Sequence, residues 1–430
     1  MALTGRTALL AVLGVAVVAV VPSWTGVLLV AAVLAAGIGV DLVLAGSVRA
    51  LAFDRAGPAA MRLGEPVEVT LTVHNPGPRR ARGVLRDAWP PGAGPVLDRH
   101  PIDVPAGGRR TVVTRLVPTR RGDRRADRVT VRTVGPLGLA ARQGAHEVAW
   151  TVRVLPPFPS RRHLPARLER LRELDGRRAV LVRGAGTEFD SLREYVPGDD
   201  VRSIDWRASA RASEVMVRTW RPERDRQVLV VLDTGRTSAG RVGDAPRLDA
   251  AMDAALLLGA LASRAGDRVD LLAYDRRVRA AVSGVGAGQL LSAMVNAMAP
   301  LEPELVESDA GGMVAEVLRR ARRRSLVVLV TGLDAAALEP GLLPVLPSLT
   351  GRHRVVLASV SDPRVTSLAR GRGDAESVYA AAAAERALAE RRRMTALLAR
   401  RGVEVVDAVP EELPPALADR YLALKAAGRL

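Results

Sequence analysis

This 430-residue chain has no cysteine and only one lysine, Lys425. The absence of cysteine excludes a disulfide framework, a thiol nucleophile and any thiolate-held zinc or iron–sulfur centre. With its one lysine near the C-terminus, the chain is poorly equipped for Schiff-base or lysine-dependent nuclease chemistry. Aromatic residues make up 3% of the sequence, so its cores must be built from Val, Leu and Ala. The five histidines, at 74, 100, 146, 163 and 353, show no His-Glu-x-x-His or other paired-ligand spacing. No Gly-x-x-x-x-Gly-Lys-Ser/Thr phosphate loop and no Gly-x-Ser-x-Gly nucleophile elbow occurs.

Arginine is abundant, and the formal net charge is +17. The arginines are scattered over every segment rather than gathered in a stripe. With the high Ala, Gly and Val content they reflect a GC-rich coding bias, and no nucleic-acid partner is expected. Attraction to anionic lipid at the inner leaflet explains the charge equally well. Hydrophobic residues reach 48%, enough for real cores, and at about 150 residues per domain the length suggests two or three units.

Two apolar runs open the chain, Leu3 to Val21 and Thr25 to about Leu44, separated by Pro22-Ser23-Trp24. Each approaches the ~20 residues that cross a ~30 Å hydrocarbon core. A Pro-Ser-Trp break suits a tight turn at the far interface. Arg6 precedes the first run, Arg49, Arg55 and Arg62 follow the second, and the turn between carries no positive charge. The positive-inside rule then predicts a two-helix hairpin, residues 1–46, in the cell membrane, with the N-terminus and the soluble body cytoplasmic. A second apolar run so soon after the first argues against a cleaved signal peptide.

Residues 47–60 read as a linker. Val67 to Val73, Thr111 to Val117 and Val129 to Val134 alternate apolar and polar with period two, and Glu147 to Leu155 is a fourth, less regular strand. Turn signals at Asn75-Pro76-Gly77-Pro78, Pro90-Pro91-Gly92 and Pro105-Ala106-Gly107-Gly108 separate them. This pattern predicts an all-β, immunoglobulin-like sandwich over residues 61–155. A basic linker follows at 156–183, with a short helix around Ala166 to Glu173. From Gln227 the rhythm changes. Buried strands at Val228–Leu232, Arg268–Tyr274, Ser325–Thr331, Arg354–Val360 and Val403–Val406 alternate with helices at Leu248–Arg264, Gln289–Met298, Met313–Arg322 and Glu376–Arg400. Strand–helix alternation of this kind predicts a doubly wound α/β sheet over 227–430.

Between linker and sheet, residues 184–226 contain Gly-Thr-Glu188-Phe189, Leu-Arg193-Glu194-Tyr195, Pro197-Gly198-Asp199-Asp200, Arg202-Ser-Ile-Asp205-Trp206 and Ala-Arg211. Pro197-Gly198 fits a type II turn, and Asp199 or Asp200 can cap a short helix behind it. The carboxylates and guanidinium groups are expected to form an ion-pair network, with Phe189, Tyr195 and Trp206 shielding it from water. This composite motif closely resembles the signature of the domain of unknown function 58 family, whose C-terminal part is von Willebrand factor A-like. Gly135-Pro136-Leu137-Gly138-Leu139 is similar to that family's turn at the end of the β region. The resemblance implies a membrane-anchored, cytoplasm-facing partner of a MoxR-type AAA+ ATPase, acting in assembly or activation of other protein complexes.

Von Willebrand factor A domains often bind Mg²⁺ through Asp-x-Ser-x-Ser with a later Thr and Asp. This chain has Asp233-Thr234-Gly235-Arg236-Thr237. Asp233 matches, Thr237 can replace the second Ser, and Asp334 can serve as the distal carboxylate. Gly235 offers no side-chain oxygen, the loop Ser283-Gly284-Val285-Gly286 supplies no obvious Thr, and Arg236 repels a cation. The expectation is a degenerate Mg²⁺ site. A non-enzymatic adaptor is the reading these residues favour. The alternative is an acid/base hydrolase using the carboxylates of residues 188–205.

Overall fold

The computed structural model describes residues 2–20, 22–181, 188–197, 199–212, 214–221 and 226–430, without the side chains of 175–181, 188–191 and 219–221. The chain is a mixed α/β protein that divides into two compact units, Met1–Leu155 and Pro156–Leu430.

The first unit starts with a two-residue strand β1 (Ala2–Leu3) and the helices α1 (Gly5–Val20) and α2 (Trp24–Leu44). Trp24–Ala50 is long and apolar enough to cross a membrane, with a mean hydropathy of 2.6, and only 6% of that window is buried; α1 is shorter. Ten strands follow: β2 (Ala52–Ala56), β3 (Ala60–Arg62), β4 (Val67–His74), β5 (Ala81–Asp87), β6 (Arg99–Val104), β7 (Arg109–Leu116), β8 (Gly122–Arg125), β9 (Arg128–Val134), β10 (Ala140–Glu147) and β11 (Thr151–Leu155). They form sheets of order β1-β10-β9-β5-β6, β2-β4-β7 and β3-β11-β8. Alternation along the strands sends Leu71, Val73 and Val112 inward from one sheet, and Leu85, Ile102, Val104, Val129 and Val131 inward from another, into one core. The stretch 47–60, expected as a linker, instead contains β2, which pairs antiparallel with β4. Its charged Asp54 and Arg55 hide the strand pattern.

Those charges have a structural reason. Arg55 is buried and donates to the carboxylate of Asp87 and to Val148 O. Asp87 also accepts from Trp89 Nε1 at 3.0 Å and Thr114 Oγ1 at 2.8 Å, so its oxygens are fully engaged inside the sandwich. A second buried carboxylate, Asp41 in the last turn of α2, accepts the backbone N–H groups of Leu137, Leu139 and Ala140. The first two belong to the Gly135–Leu139 turn and the third to the β10 residue that follows it. A Cβ at Gly135 would lie 2.4 Å from Asp41 Oδ1, so only glycine allows this approach.

The second unit begins with a 3₁₀ turn (Pro159–His163) and α3 (Leu164–Leu181), where the sequence suggested a linker. Leu171 is buried, and Leu164, Leu168 and Leu174 pack against the same core, so α3 belongs to the α/β body. Next come β12 (Glu188–Glu194), the four-residue α4 (Trp206–Ser209) and β13 (Met216–Arg221), with β12 and β13 paired antiparallel. Then follow β14 (Gln227–Asp233), α5 (Arg236–Ala239), the tiny strands β15 (Arg241–Val242) and β16 (Ala245–Pro246), α6 (Arg247–Arg264), β17 (Arg268–Tyr274), β18 (Val278–Val282), α7 (Ala287–Met298) and α8 (Ala310–Arg320). The chain closes with β19 (Leu326–Val330), α9 (Ala335–Ala337), a π turn into α10 (Leu343–Thr350), β20 (Arg354–Val360), α11 (Pro363–Leu368), α12 (Ala375–Arg400), β21 (Val403–Ala408) and α13 (Leu413–Ala426).

The main sheet has the order β18-β17-β14-β19-β20-β21. All its pairings are parallel except β17 with β18. Period two explains the unbroken apolar run of β14. Val228, Val230 and Leu232 pack on one face with α6, α7 and α13. Leu229 and Val231 pack on the other with α8, α10 and α12. From β14 the chain builds outward through β17 and β18, then returns to β14's other side as β19. The strand order reverses there, which opens a crevice at the carboxyl ends of β14 and β19.

Replacing Asp87 with Ala would leave Arg55 buried without its carboxylate. The sandwich is expected to lose about 3–5 kcal/mol, read as a lowered thermal unfolding midpoint of the purified chain, whereas Asp103→Ala, which breaks a surface pair with the exposed Arg80, changes it little.

Candidate functional site at the carboxyl edge of the main sheet

Asp233 ends β14 at the reversal point and is buried. Its carboxylate accepts four hydrogen bonds. Oδ1 takes Gly235 N at 2.8 Å and Ser308 Oγ at 2.5 Å. Oδ2 takes Thr237 Oγ1 at 2.7 Å and Thr331 Oγ1 at 2.6 Å. The donors come from three places: the turn after β14, the loop before α8, and the end of β19. A buried carboxylate needs such a shell, because each lost partner leaves an oxygen out of reach of water.

Two of these donors are absent from the sequence expectation. Ser308 supplies the hydroxyl that Gly235 lacks. A Cβ at Gly235 would lie 2.2 Å from Ser308 Oγ, so the glycine makes room for a serine arriving from another loop. Thr331 stands at the strand end but carries no spacing signal. Asp334, expected as the distal carboxylate, does not bond Asp233; its Oδ2 lies 3.8 Å from Arg247 Nη1. It still faces Thr237 across Gly332, where an added Cβ would meet Asp334 Oδ2 and Thr237 Cβ, each at 3.2 Å. Arg236 pairs with Glu307 at 2.5 Å, which offsets the repulsion expected of it. A shallow cleft with room for about one water molecule opens alongside, lined by Thr237, Ser238, Arg247, Thr331 and Gly332 among others.

A second buried carboxylate, Asp275, sits next door after β17 and accepts from Thr234 Oγ1 at 3.2 Å and Arg279 Nη1 at 2.6 Å. Burial alone would raise its pKa. The Arg276 N–H and the Arg279 guanidinium outweigh that and hold it below the usual carboxylate range. Among the described residues, no three His, Asp or Glu side chains converge as a metal cluster.

The signature segment forms a separate constellation around the β12–β13 hairpin. Asp199 accepts from Arg193 Nη2 at 2.5 Å and from Val196 N at 3.0 Å, closing the turn over 196–199. Asp200 caps the turn Val201–Ser203 through Arg202 N. Asp205 caps α4 through Arg207 N and Ala208 N, both 3.0 Å, and pairs with Arg218 at 2.7 Å. The Ala208 N–H and the Arg218 guanidinium hold Asp205 below its ordinary pKa. Glu194 raises the pKa of neighbouring Glu214, an exposed acid pair across the hairpin.

The network expected here is therefore local capping plus two ion pairs. Arg202 and Arg211 are exposed and pair with no carboxylate among the described residues. The expected aromatic shield is corrected. Trp206 is 69% exposed and Tyr195 only half-buried, because each Asp turns back to its own backbone and leaves no enclosed cluster to cover. Pro197 is exposed. Gly198 and the side chains of Glu188, Phe189 and Asp190 lie outside the described residues.

Residues 191–414, more than half of the chain, match the family described as "Protein of unknown function DUF58". The chain belongs to the DUF58 family. An uncharacterized protein of Mycobacterium tuberculosis (strain ATCC 25618 / H37Rv) is 28% identical over 197 residues, which cover 45% of this chain and 61% of the relative. The uncharacterized protein YeaD of Bacillus subtilis (strain 168) is 26% identical over 125 residues, 29% of this chain and 31% of that one. The chain thus spans about three fifths of the length of the mycobacterial relatives it matches. Among solved structures, the CARDB domain of the PF1109 protein from Pyrococcus furiosus is similar over 24% of this chain and 86% of that one, with 14% identity and a TM-score of 0.18. A β-glucosidase from Listeria innocua covers 24% of this chain and 16% of its own, with 16% identity and a TM-score of 0.17.

The fit of Ser308 against Gly235 makes a reciprocal prediction. Gly235→Ser should lower the unfolding midpoint through steric conflict, and Ser308→Gly should lower it through a lost hydrogen bond to a charge, about 1.5–3 kcal/mol. The double variant Gly235→Ser/Ser308→Gly should recover most of the loss. Additive losses in the double variant would show that the two positions do not share one space.

Proposed function

We propose that this DUF58 protein is a membrane-anchored interaction module, with two N-terminal spans and a cytoplasmic body, whose α/β domain is von Willebrand factor A-like and receives a protein partner at the carboxyl edge of its sheet. The observation that carries the reading is the shell of hydroxyls from three loops around Asp233, at the point where the strand order reverses. Open sheets of this kind bind their ligands there. The strand order, with one antiparallel edge strand, agrees with the von Willebrand factor A-like reading.

The donor set suits a hard cation. Asp233, Thr237, Ser308 and Thr331 offer oxygen only, and Mg²⁺ keeps waters to complete its octahedron. When bound, Mg²⁺ would supply a positive charge at the edge to which an acidic group of the partner is drawn. Without it, the three hydroxyls satisfy Asp233 by themselves. The residues of this chain orient one another and hold the carboxylate in place in either case. A partner of the MoxR-type AAA+ ATPase class fits the family resemblance of the signature segment.

Exposed apolar side chains support docking at this edge. Leu368 in α11, which leaves the carboxyl end of β20, is 51% exposed, and Val378 and Tyr379 in α12 are 48% and 78% exposed. The two-span anchor is supported by the contact of Gly14 with Val30, where an added Cβ would lie 2.4 Å from Val30 Cγ1. Exposed Leu, Val and Ala around both helices need a hydrocarbon phase.

The runner-up, acid/base hydrolysis by the carboxylates of residues 188–205, has among the described side chains only Glu194, beside Glu214, as an acid that no cap or ion pair engages. Both groups are exposed, and Asp199, Asp200 and Asp205 are spent on caps and ion pairs.

A pull-down from solubilised membranes, with and without Mg²⁺ and ATP, tests the adaptor. The wild-type chain is expected to recover an AAA+ ATPase. Asp233→Ala should reduce recovery at least about tenfold, a coupling of the size set by one buried charged contact. Absence of any ATPase under all conditions overturns the partner. Asp205→Ala separates the two functions: loss of the complex or of folded protein supports the adaptor, and a folded variant with an abolished hydrolytic turnover supports the alternative.

A further inference from the structure

The membrane reading just proposed has a structural consequence at the base of the helices, and the inference drawn from it rests on that reading. From Trp24 to Asp41, α2 rises about 26 Å, close to the ~30 Å of a hydrocarbon core. Asp41 therefore marks the boundary at the end opposite Trp24. There its carboxylate is bolted to the N–H groups of the 135–140 segment. The sandwich cannot hang away from the bilayer on a flexible tether. Its rim lies at headgroup level.

That rim carries three guanidinium groups around the helix ends. Arg6 in α1 packs over Gly138, with Nη1 2.9 Å from where a Cβ would stand. Arg132 in β9 donates to Leu3 O at 2.9 Å. Arg142 in β10 donates to Leu42 O at 2.8 Å. Each is held by the chain itself, and none pairs with a carboxylate among the described residues. Most of their N–H donors are thus unspent. Leu3 and Leu137 on the same rim are 62% and 49% exposed, apolar beside the charges. An apolar edge beneath fixed cations matches a lipid, whose acyl chains lie below an anionic headgroup.

We propose that this rim is a binding site for the headgroup phosphate of anionic phospholipid, with Arg6, Arg132 and Arg142 as its donors. The fork geometry of guanidinium suits phosphate oxygens. Binding there would fix the height and rotation of the sandwich on the membrane.

The test uses the full chain purified in non-ionic detergent, with bound lipid counted by native mass spectrometry during titration with phosphatidylglycerol or phosphatidylcholine. The wild type is expected to retain phosphatidylglycerol selectively, and millimolar inorganic phosphate should not displace it. Arg132→Gln/Arg142→Gln should weaken retention about fivefold per guanidinium removed. Arg132→Lys/Arg142→Lys keeps the charge and loses the fork, so it should bind between the wild type and the double Gln variant, which separates lost charge from lost folding. Arg115→Gln lies on β7, about 20 Å along the strand from its rim end at Arg109, and should behave as wild type. Equal binding of both lipids, or unchanged selectivity in the double Gln variant, overturns the proposal. Alkaline carbonate extraction of membranes distinguishes the two levels. A chain that stays in the membrane yet shows no lipid selectivity sinks the rim site alone; a wild-type chain released by carbonate sinks the anchor and the site together.

Discussion

A carboxylate taken out of water must be surrounded by donors, and Asp233 meets that demand with groups from three separate loops. The arrangement ties the turn after β14, the loop before α8 and the end of β19 to one point. Backbone bonds from Arg236 N to Val306 O and from Glu304 N to Thr234 O also join the first two, and the shared carboxylate adds the third to them. One side chain thus links the packing of the sheet end to the chemistry available there.

The same device recurs in the first unit with different consequences. Asp87 is enclosed by Arg55, Trp89 and Thr114 deep in the sandwich, where no ligand reaches and the network only orients strands. Asp41 is enclosed by backbone N–H groups alone, so it joins a helix end to a turn and asks of that turn's side chains mainly that position 135 carry none. Burial and satisfaction alone do not mark a functional carboxylate. What sets Asp233 apart is that three hydroxyls from separate segments converge on it and that it stands where the strand order reverses.

The core strands of the α/β unit were legible because parallel strands buried on both faces must be continuously apolar; Val228–Leu232 and Leu326–Val330 carry that pattern openly. Strands β5, β6 and β10 were not, since Arg82, Gly83, Pro101, Gly144 and His146 interrupt the alternation with residues chosen for surface or close approach. The helical character of 164–181 was partly hidden by its charges, although its Leu spacing at 164, 168, 171 and 174 is that of a buried face. At the candidate site, Asp233 and Thr237 were readable because they sit four residues apart on one turn. Ser308 and Thr331 were not, because 75 and 98 residues separate them from Asp233 and only the fold brings them together.

Gly235 shows how a local reading can mislead. Taken alone, a glycine where a hydroxyl is wanted looks like a decayed site. With Ser308 Oγ 2.2 Å from the space its Cβ would fill, it is the vacancy that a distant serine requires. The hydroxyl that reaches Asp233 here comes from another loop. A ligand site is a set of atoms rather than a run of residues, so its integrity is decided by whether the atoms converge. Here the hydroxyls converge on the carboxylate, which accepts from each of them.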